Sequence, residues 1–153
     1  MNNAYLALGS NLGNKTENIL TAIRKIEGRA GKITSLSSFF VTQPWGFVSD
    51  NDFVNTAACL TTSLAPHDLL NTVMQIEREM GRLPHNKNTW EDRLIDIDIL
   101  LYNSLILSGT SLTIPHPLMH SRKFVLQPLA EIAPTLLHPI QQKTITELLF
   151  ALT

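Results

Sequence analysis

Thiols are almost missing. Cys59 is the one cysteine in 153 residues, so no internal disulfide can form and a reducing cytosol is the expected home. It stands in an apolar stretch and reads as a packed thiol. Charge is scarce as well: Asp, Glu, Lys and Arg make up 16% of the chain, against about 25% in a typical soluble domain. Lys and Arg number 12 against 13 Asp and Glu, so there is no broad basic footprint of the kind nucleic-acid binders show. Any polyanion site must come from a local cluster of arginines. No apolar run approaches the roughly 18 residues of a membrane-spanning helix. The start, Met1-Asn2-Asn3-Ala4-Tyr5, lacks the basic opening and apolar run of a signal peptide. Repeats, low-complexity tracts and linkers are absent too, so residues 1–153 are expected as one domain, cytoplasmic and monomeric. What is present is core material, with 44% apolar residues, enough to bury without staples.

Ala4 to Leu8 is short and apolar and runs into Gly9-Ser10-Asn11, a strand followed by a turn. Ile19, Leu20, Ile23 and Ile26 recur at helical spacing, which predicts a helix over about 15–27, stopped by Gly28 or Gly31. Residues 33–41 and 53–62 read as strands, separated by a loop holding Pro44, Gly46 and Asp50. Pro66 suits the first position of a second helix, whose buried face carries Leu69, Leu70, Val73, Met74, Ile76 and Met80 before Gly81. Residues 82–92 show no periodicity and form a long loop, a length often reserved for function. Residues 94–102 form a fourth strand, and Asn103-Ser104 turns it towards a short partner over 105–107. Helices are expected over 121–132 and about 144–152. The βαββαβ order implies an α+β fold: a ferredoxin-like antiparallel sheet with helices on one face, extended by a C-terminal hairpin and helices.

The informative stretch is Arg93-Leu94-Ile95-Asp96-Ile97-Asp98-Ile99. Alternation along a strand sends Ile95, Ile97 and Ile99 one way and Asp96 and Asp98 the other, with the two aspartate Cα atoms roughly 6–7 Å apart. Like charges side by side repel, and a divalent cation between them removes the conflict. Hard oxygen donors without a Cys or His cluster favour Mg²⁺. An ordinary half-exposed strand with solvated aspartates accounts for the pair equally well. Arg82 and Arg93 bracket the loop that feeds this strand, Lys87 and Arg122 add charge, and Arg offers the donor fork that phosphate accepts.

Gly9-Ser10-Asn11-Leu12-Gly13-Asn14 is neither a P-loop nor a dinucleotide fingerprint. A tight strand-to-helix turn capped by Asn14 accounts for it. His116 and His120 have the spacing of a metal pair, but Pro117 interrupts the helix that would present them. His116, between two prolines, is better as a phosphate or nucleotide contact, while His67, His85 and His138 look like surface residues.

Taken together, the ordered pieces resemble the 6-hydroxymethyl-7,8-dihydropterin pyrophosphokinase (HPPK) family. They are residues 8–13, Ser37 to Thr42, Phe53-Val54-Asn55, Ile76-Glu77 with Gly81-Arg82, Trp90, Arg93 to Leu100, Ile114 to Pro117, Arg122 to Leu129 and Ile132-Ala133-Pro134. The resemblance implies transfer of the β,γ-diphosphate of ATP to the pterin's hydroxymethyl oxygen, with release of AMP. It implies two Mg²⁺ on Asp96 and Asp98, and catalytic roles for Arg82 and Arg93. Phe53 and Phe124 would sandwich the pterin, Thr42, Trp45 and Asn55 would line it, and Trp90 would close over it. ATP would meet Arg82, Arg93, Ile99, Thr113, His116 and Arg122. Glu91-Asp92 stands where members usually carry Gly-Pro, and Ser111 where some carry arginine. A ligand-sensing module of the same fold would keep Phe53 and Phe124 without needing both aspartates. A Mg²⁺-dependent phosphohydrolase would need the aspartates but no aromatic pocket.

Overall fold

In the computed structural model of the chain, residues 1–43, 51–81 and 93–153 are described. The central strand β1 (Asn2–Ser10) buries Ala4, Leu6 and Leu8 on one face, while Tyr5 and Ala7 pack on the other. A strand covered on both faces needs layers on both sides, and the chain supplies them. Helix α1 (Lys15–Arg29) and helix α2 (Pro66–Glu79) lie on the first side. Strands β2 (Gly31–Leu36), β3 (Phe40–Thr42), β4 (Phe53–Thr62) and β5 (Asp96–Tyr102) complete the main sheet in the order β2-β4-β1-β5, with β3 also paired to β4. Every pairing is antiparallel. The hairpin of β6 (Leu107–Ser108) and β7 (Thr113–Ile114) stands apart from it. Helices α3 (Lys123–Ile132) and α4 (Ile145–Ala151) close the second side of the sheet.

Local chemistry explains the boundaries. Asn14 caps α1, its side chain accepting the Glu17 amide at 3.2 Å. Ile19, Ala22, Ile23 and Ile26 form the buried stripe, as their spacing predicts. The helix passes Gly28 and ends before Gly31, whose φ of +151° and close approach leave no room for a side chain: a Cβ would lie 2.1 Å from the Thr61 carbonyl oxygen. Pro66 opens α2 as expected. Thr144 and Glu147 form a capping box at the start of α4.

One irregularity shapes the second core. The β1–β5 register slips between Tyr5 and Leu6, so Leu101 faces Tyr5 while Ile99 faces Leu6. That bulge places both Leu100 and Leu101 on the α3 side, with Leu126, Leu129, Ile145 and Leu148. Ile95, Ile97 and Ile99 remain on the α1–α2 side.

Several expectations change. The strand expected over 33–41 is two strands, because Ser37 and Ser38 leave the regular ladder. Ser37 Oγ accepts the Ala57 amide at 2.9 Å, and the Ser38 amide and hydroxyl both donate to Glu131. Small hydroxyl residues compete with ladder bonds in this way. The strand after Tyr102 pairs with β7 instead of β5. Asn103 adopts φ 49°, donates to the Asn3 carbonyl and accepts the Asn3 amide, so the turn stays tied to β1 and the hairpin forms further on. The helix expected from 121 starts at Lys123, after a 3₁₀ turn over Met119–Ser121, because Arg122 is extended at φ −114°, ψ 106°. His138 is buried, not on the surface: it is 2% exposed and its Nδ1 accepts the amides of Ile140 and Gln141. No helix among the described residues is long and apolar enough to cross a membrane.

Candidate functional site

The strand alternation that buries Ile95 and Ile97 turns Asp96 and Asp98 into a cleft on the α3 side of the sheet. Strand register builds its floor. Gly9 of β1 pairs with Asp96 on one side and Asn55 on the other. A Cβ on Gly9 would lie 2.9 Å from Asn55 Oδ1 and 3.6 Å from the Phe53 ring. The strand glycine is therefore a flat strip between the acidic wall and the aromatic one. Asn55 Nδ2 donates to Thr42 Oγ1 at 2.7 Å, which fixes the amide with its oxygen towards Gly9.

Charge is concentrated at the β5 end. Arg93 Nη1 lies 3.2 Å from Asp96 Oδ1. Arg122, 5% exposed, closes the cleft from the start of α3. Burial pushes its guanidinium below the ordinary arginine value, while the carboxylates of Asp98 and Asp96 pull it back up. Its Cζ stands 5.7 Å from the centroid of the Phe124 ring, close enough for cation–π attraction. Phe53 and Phe124 reach the same cleft from β4 and α3.

The structure thus brings together Thr42, Phe53, Asn55, Arg93, Asp96, Asp98, Arg122 and Phe124. Ile99, Thr113 and His116 do not line this cleft. Ile99 is 5% exposed in the α1–α2 core, since the alternation that exposes Asp98 buries its neighbour. Thr113 lies in the hairpin, its hydroxyl on the Gly109 carbonyl. His116 Nδ1 accepts the Leu118 amide, and its own amide donates to the Leu100 carbonyl. Trp45, Arg82 and Trp90, with the loop expected over 82–92, lie outside the described residues.

Sequence reasoning missed Asn11. It is 0% exposed; its amide donates to the Arg93 carbonyl at 3.0 Å and its Oδ1 accepts the Arg93 amide at 2.6 Å. Its Nδ2 also donates to the Asn51 carbonyl at 3.3 Å. A turn residue thereby fixes the backbone of the arginine that touches Asp96. The only signal was an asparagine directly after the strand's closing Gly9-Ser10, which reads as turn chemistry. Among the described residues no three His, Cys, Asp or Glu side chains cluster as a metal cage. The acidic pair is the oxygen-donor set facing the cleft.

Comparison with known proteins identifies the family. Residues 5–134 match the family described as 7,8-dihydro-6-hydroxymethylpterin-pyrophosphokinase (HPPK). The chain belongs to that family. A 2-amino-4-hydroxy-6-hydroxymethyldihydropteridine pyrophosphokinase of Porphyromonas gingivalis is 42% identical over 137 residues, covering 88% of this chain and 92% of that protein. The Aquifex aeolicus protein of the same name is 40% identical, covering 96% and 90%. The folic acid synthesis protein FOL1 of Dictyostelium discoideum is 46% identical over 90% of this chain, which spans 20% of that longer protein. A crystal structure of HPPK-DHPS in complex with substrates superposes with a TM-score of 0.80 at 17% identity, over 98% of this chain and 43% of that one. Plasmodium falciparum HPPK-DHPS gives 0.78 at 19%, over 98% and 44%. The chain therefore spans under half of those solved chains, and at such identities the superposition shows the fold: an antiparallel sheet with helices.

Proposed function

We propose that this chain carries out the reaction its family name describes, with ATP as co-substrate, in folate synthesis. The pterin's hydroxymethyl oxygen attacks the β-phosphorus of ATP, the bond from that phosphorus to the α-phosphate oxygen breaks, and AMP leaves. The hydroxyl proton is released, and the β,γ-diphosphate stays on the pterin. The carrying observation is the cleft itself, where an acidic pair flanked by arginines faces two phenyl rings across a glycine floor.

Each wall has a task. Phe53 and Phe124 hold a planar heterocycle between them, an arrangement aromatic rings favour. Asn55, its amide fixed by Thr42, presents its carbonyl oxygen to the ring's N–H groups. Arg93 and Arg122 bind phosphate oxygens as rigid donor forks, and burial makes each such contact stronger than it would be in water. The donor set fits Mg²⁺, since Asp96 and Asp98 are hard oxygen ligands side by side on one strand face. Two ions held there would neutralise charge on the phosphate oxygens and align the transferring group. Ile99 and Thr113 are assigned to ATP and His116 to its phosphates, because they follow or adjoin Asp98 along β5 and its neighbouring hairpin. Arg82, Trp45 and Trp90 join the site on the family resemblance alone.

The same reading extends to architecture and setting. The strand order β2-β4-β1-β5 with α1 and α2 on one face supports a ferredoxin-like core, extended by the β6–β7 hairpin and by α3 and α4. Both cores share one sheet, which supports a single catalytic domain over 1–153. A cytoplasmic monomer acting on two small molecules completes the proposal.

Incubation with ATP and the pterin, followed by separation of nucleotides, tests it. AMP formed only when pterin is present is the expected result. ADP or phosphate without pterin would mean a hydrolase, and binding of both ligands without turnover would mean a sensor.

A further inference from the structure

We infer that Glu77 is a positioning residue for the acidic pair: its buried carboxylate holds the peptide between Asp96 and Asp98, so both side chains project into the cleft at a set spacing. This rests on the reading of that pair as metal ligands.

Glu77 lies on the buried stripe of α2 with Leu69, Val73 and Ile76, and it is 2% exposed. A carboxylate there loses water and must regain hydrogen bonds from protein. It does so at one telling place: Glu77 Oε2 accepts the Ile97 amide at 2.8 Å. Ile97 is the middle residue of Asp96-Ile97-Asp98, 1% exposed beside Ile95 and Ile76.

The position of this bond in the sheet matters. Strand β5 is last in the strand order among the described residues, and its ladder with β1 ends at the pairs Leu8–Ile97 and Gly9–Asp96. The acidic pair therefore sits at the end of the ladder on an edge strand, with β1 holding one side only. The bond from Ile97 to Glu77 secures the other side from the helix layer. A bond to a charged acceptor is roughly twice as strong as a neutral one, which gives a reason for an acid where an apolar residue would fill the space. Glu77 does not line the cleft, so it acts through the Ile97 peptide. Metal ligands need their geometry held to about 0.5 Å, and a tilt of that peptide would swing both carboxylates.

The test uses the full chain with Glu77→Gln, which keeps an acceptor, and Glu77→Leu, which fills the volume without one. Binding of Mn²⁺ in the presence of a non-hydrolysable ATP analogue is followed by electron paramagnetic resonance. The Ile97 amide is followed by ¹⁵N NMR, and pterin affinity by calorimetry. Glu77→Leu is expected to weaken Mn²⁺ binding by roughly 10–100-fold, the range for losing a group that orients metal ligands. Glu77→Gln should weaken it clearly less, the Ile97 amide should move upfield in both, and pterin affinity should hold. Equal weakening in the two variants would mean bulk charge, not positioning, and would overturn the inference. Wild-type Mn²⁺ binding in Glu77→Leu would overturn it as well. If Glu77→Leu does not fold, Glu77→Gln decides. A shifted Ile97 amide with partly weakened Mn²⁺ binding supports positioning; an unmoved amide, or a moved one with unchanged binding, defeats it. Asp98→Asn serves as the parallel control. Wild-type Mn²⁺ binding there would bring down the metal reading itself, a failure distinct from loss of the Glu77 effect alone.

Discussion

At the scale of single residues, the site is a contrast between side chains present and one side chain withheld. Asp98 faces the cleft, where its charge sits near Asp96 and helps hold Arg122 in the charged form. Asp98→Asn should therefore cut turnover by roughly 10²-fold or more, comparable to removing one preorganised electrostatic group. The melting temperature should hold or rise, since one of two repelling carboxylates is gone. Steady-state kinetics with a thermal melt checks both halves. Gly9 works by absence. In Gly9→Ala the new methyl group would meet Asn55 Oδ1 at 2.9 Å, displacing the amide proposed to face the pterin. Pterin affinity should fall roughly tenfold or more, the scale of one methylene in a fitted pocket, with ATP-analogue affinity little changed in the same calorimetric series. Alternation made Asp96 and Asp98 legible from sequence, whereas Gly9 was legible only as a turn. Its role depends on Asn55 standing across the register, and no one-dimensional pattern records that.

At the scale of elements, the segment from the 3₁₀ turn to α4 shows how buried polar groups hold irregular backbone. His138 accepts two amides through Nδ1, and its ring meets that of His120 edge-on at 6.0 Å between centroids. His120 belongs to the 3₁₀ turn that precedes Arg122. Burial lowers the His138 pKa below 6.5, and the neighbouring His120 lowers it further. The unfolded chain then takes up a proton near 6.5 that the folded chain refuses. Stability from this group is fully present above that pH and is lost as pH falls from it towards the depressed folded value. Melts across this window should show wild type losing stability on acidification. His138→Asn, whose Oδ1 can accept the same amides without titrating, should lose less. Parallel lines for the two proteins would mean that His138 does not set the acid limb. Periodicity identified α1 and α2 from sequence because their stripes face one core. It did not show His138 as buried, because burial there comes from a non-repeating turn.

At the scale of the whole molecule, one sheet carries two cores, and the second supplies the cleft's helical wall. Helix α3 supplies Phe124 and Val125 to the cleft, and Leu126 and Leu129 to the core beneath. Leu126→Ala should destabilise by about 2–5 kcal/mol and also loosen the proposed pterin pocket. Leu69→Ala on α2 should cost a similar amount, since both leucines are fully buried. The folded fraction of Leu69→Ala should bind pterin normally. Calorimetry on the folded fraction of each variant, set beside its denaturant midpoint, separates the two cores. Equal pterin loss in both would mean that the sheet transmits strain across its faces.

What the sequence determined alone is local. Alternation along 95–99, the stripe over 19–26, the proline that opens α2 and the asparagine that caps α1 all depend on neighbours within a few residues, and short-range sterics enforce them. Only the tertiary structure decided the rest: the side of the sheet that α3 and α4 cover, the bulge that sends Leu100 and Leu101 to one face, and the long-range pairs Asn11 with Arg93, Gly9 with Asn55 and Glu77 with Ile97. Those contacts join residues tens of positions apart, and strand register and packing choose them. A single sequence carries no periodic signal of such choices, because each pair occurs once and its energy appears only when the layers have met.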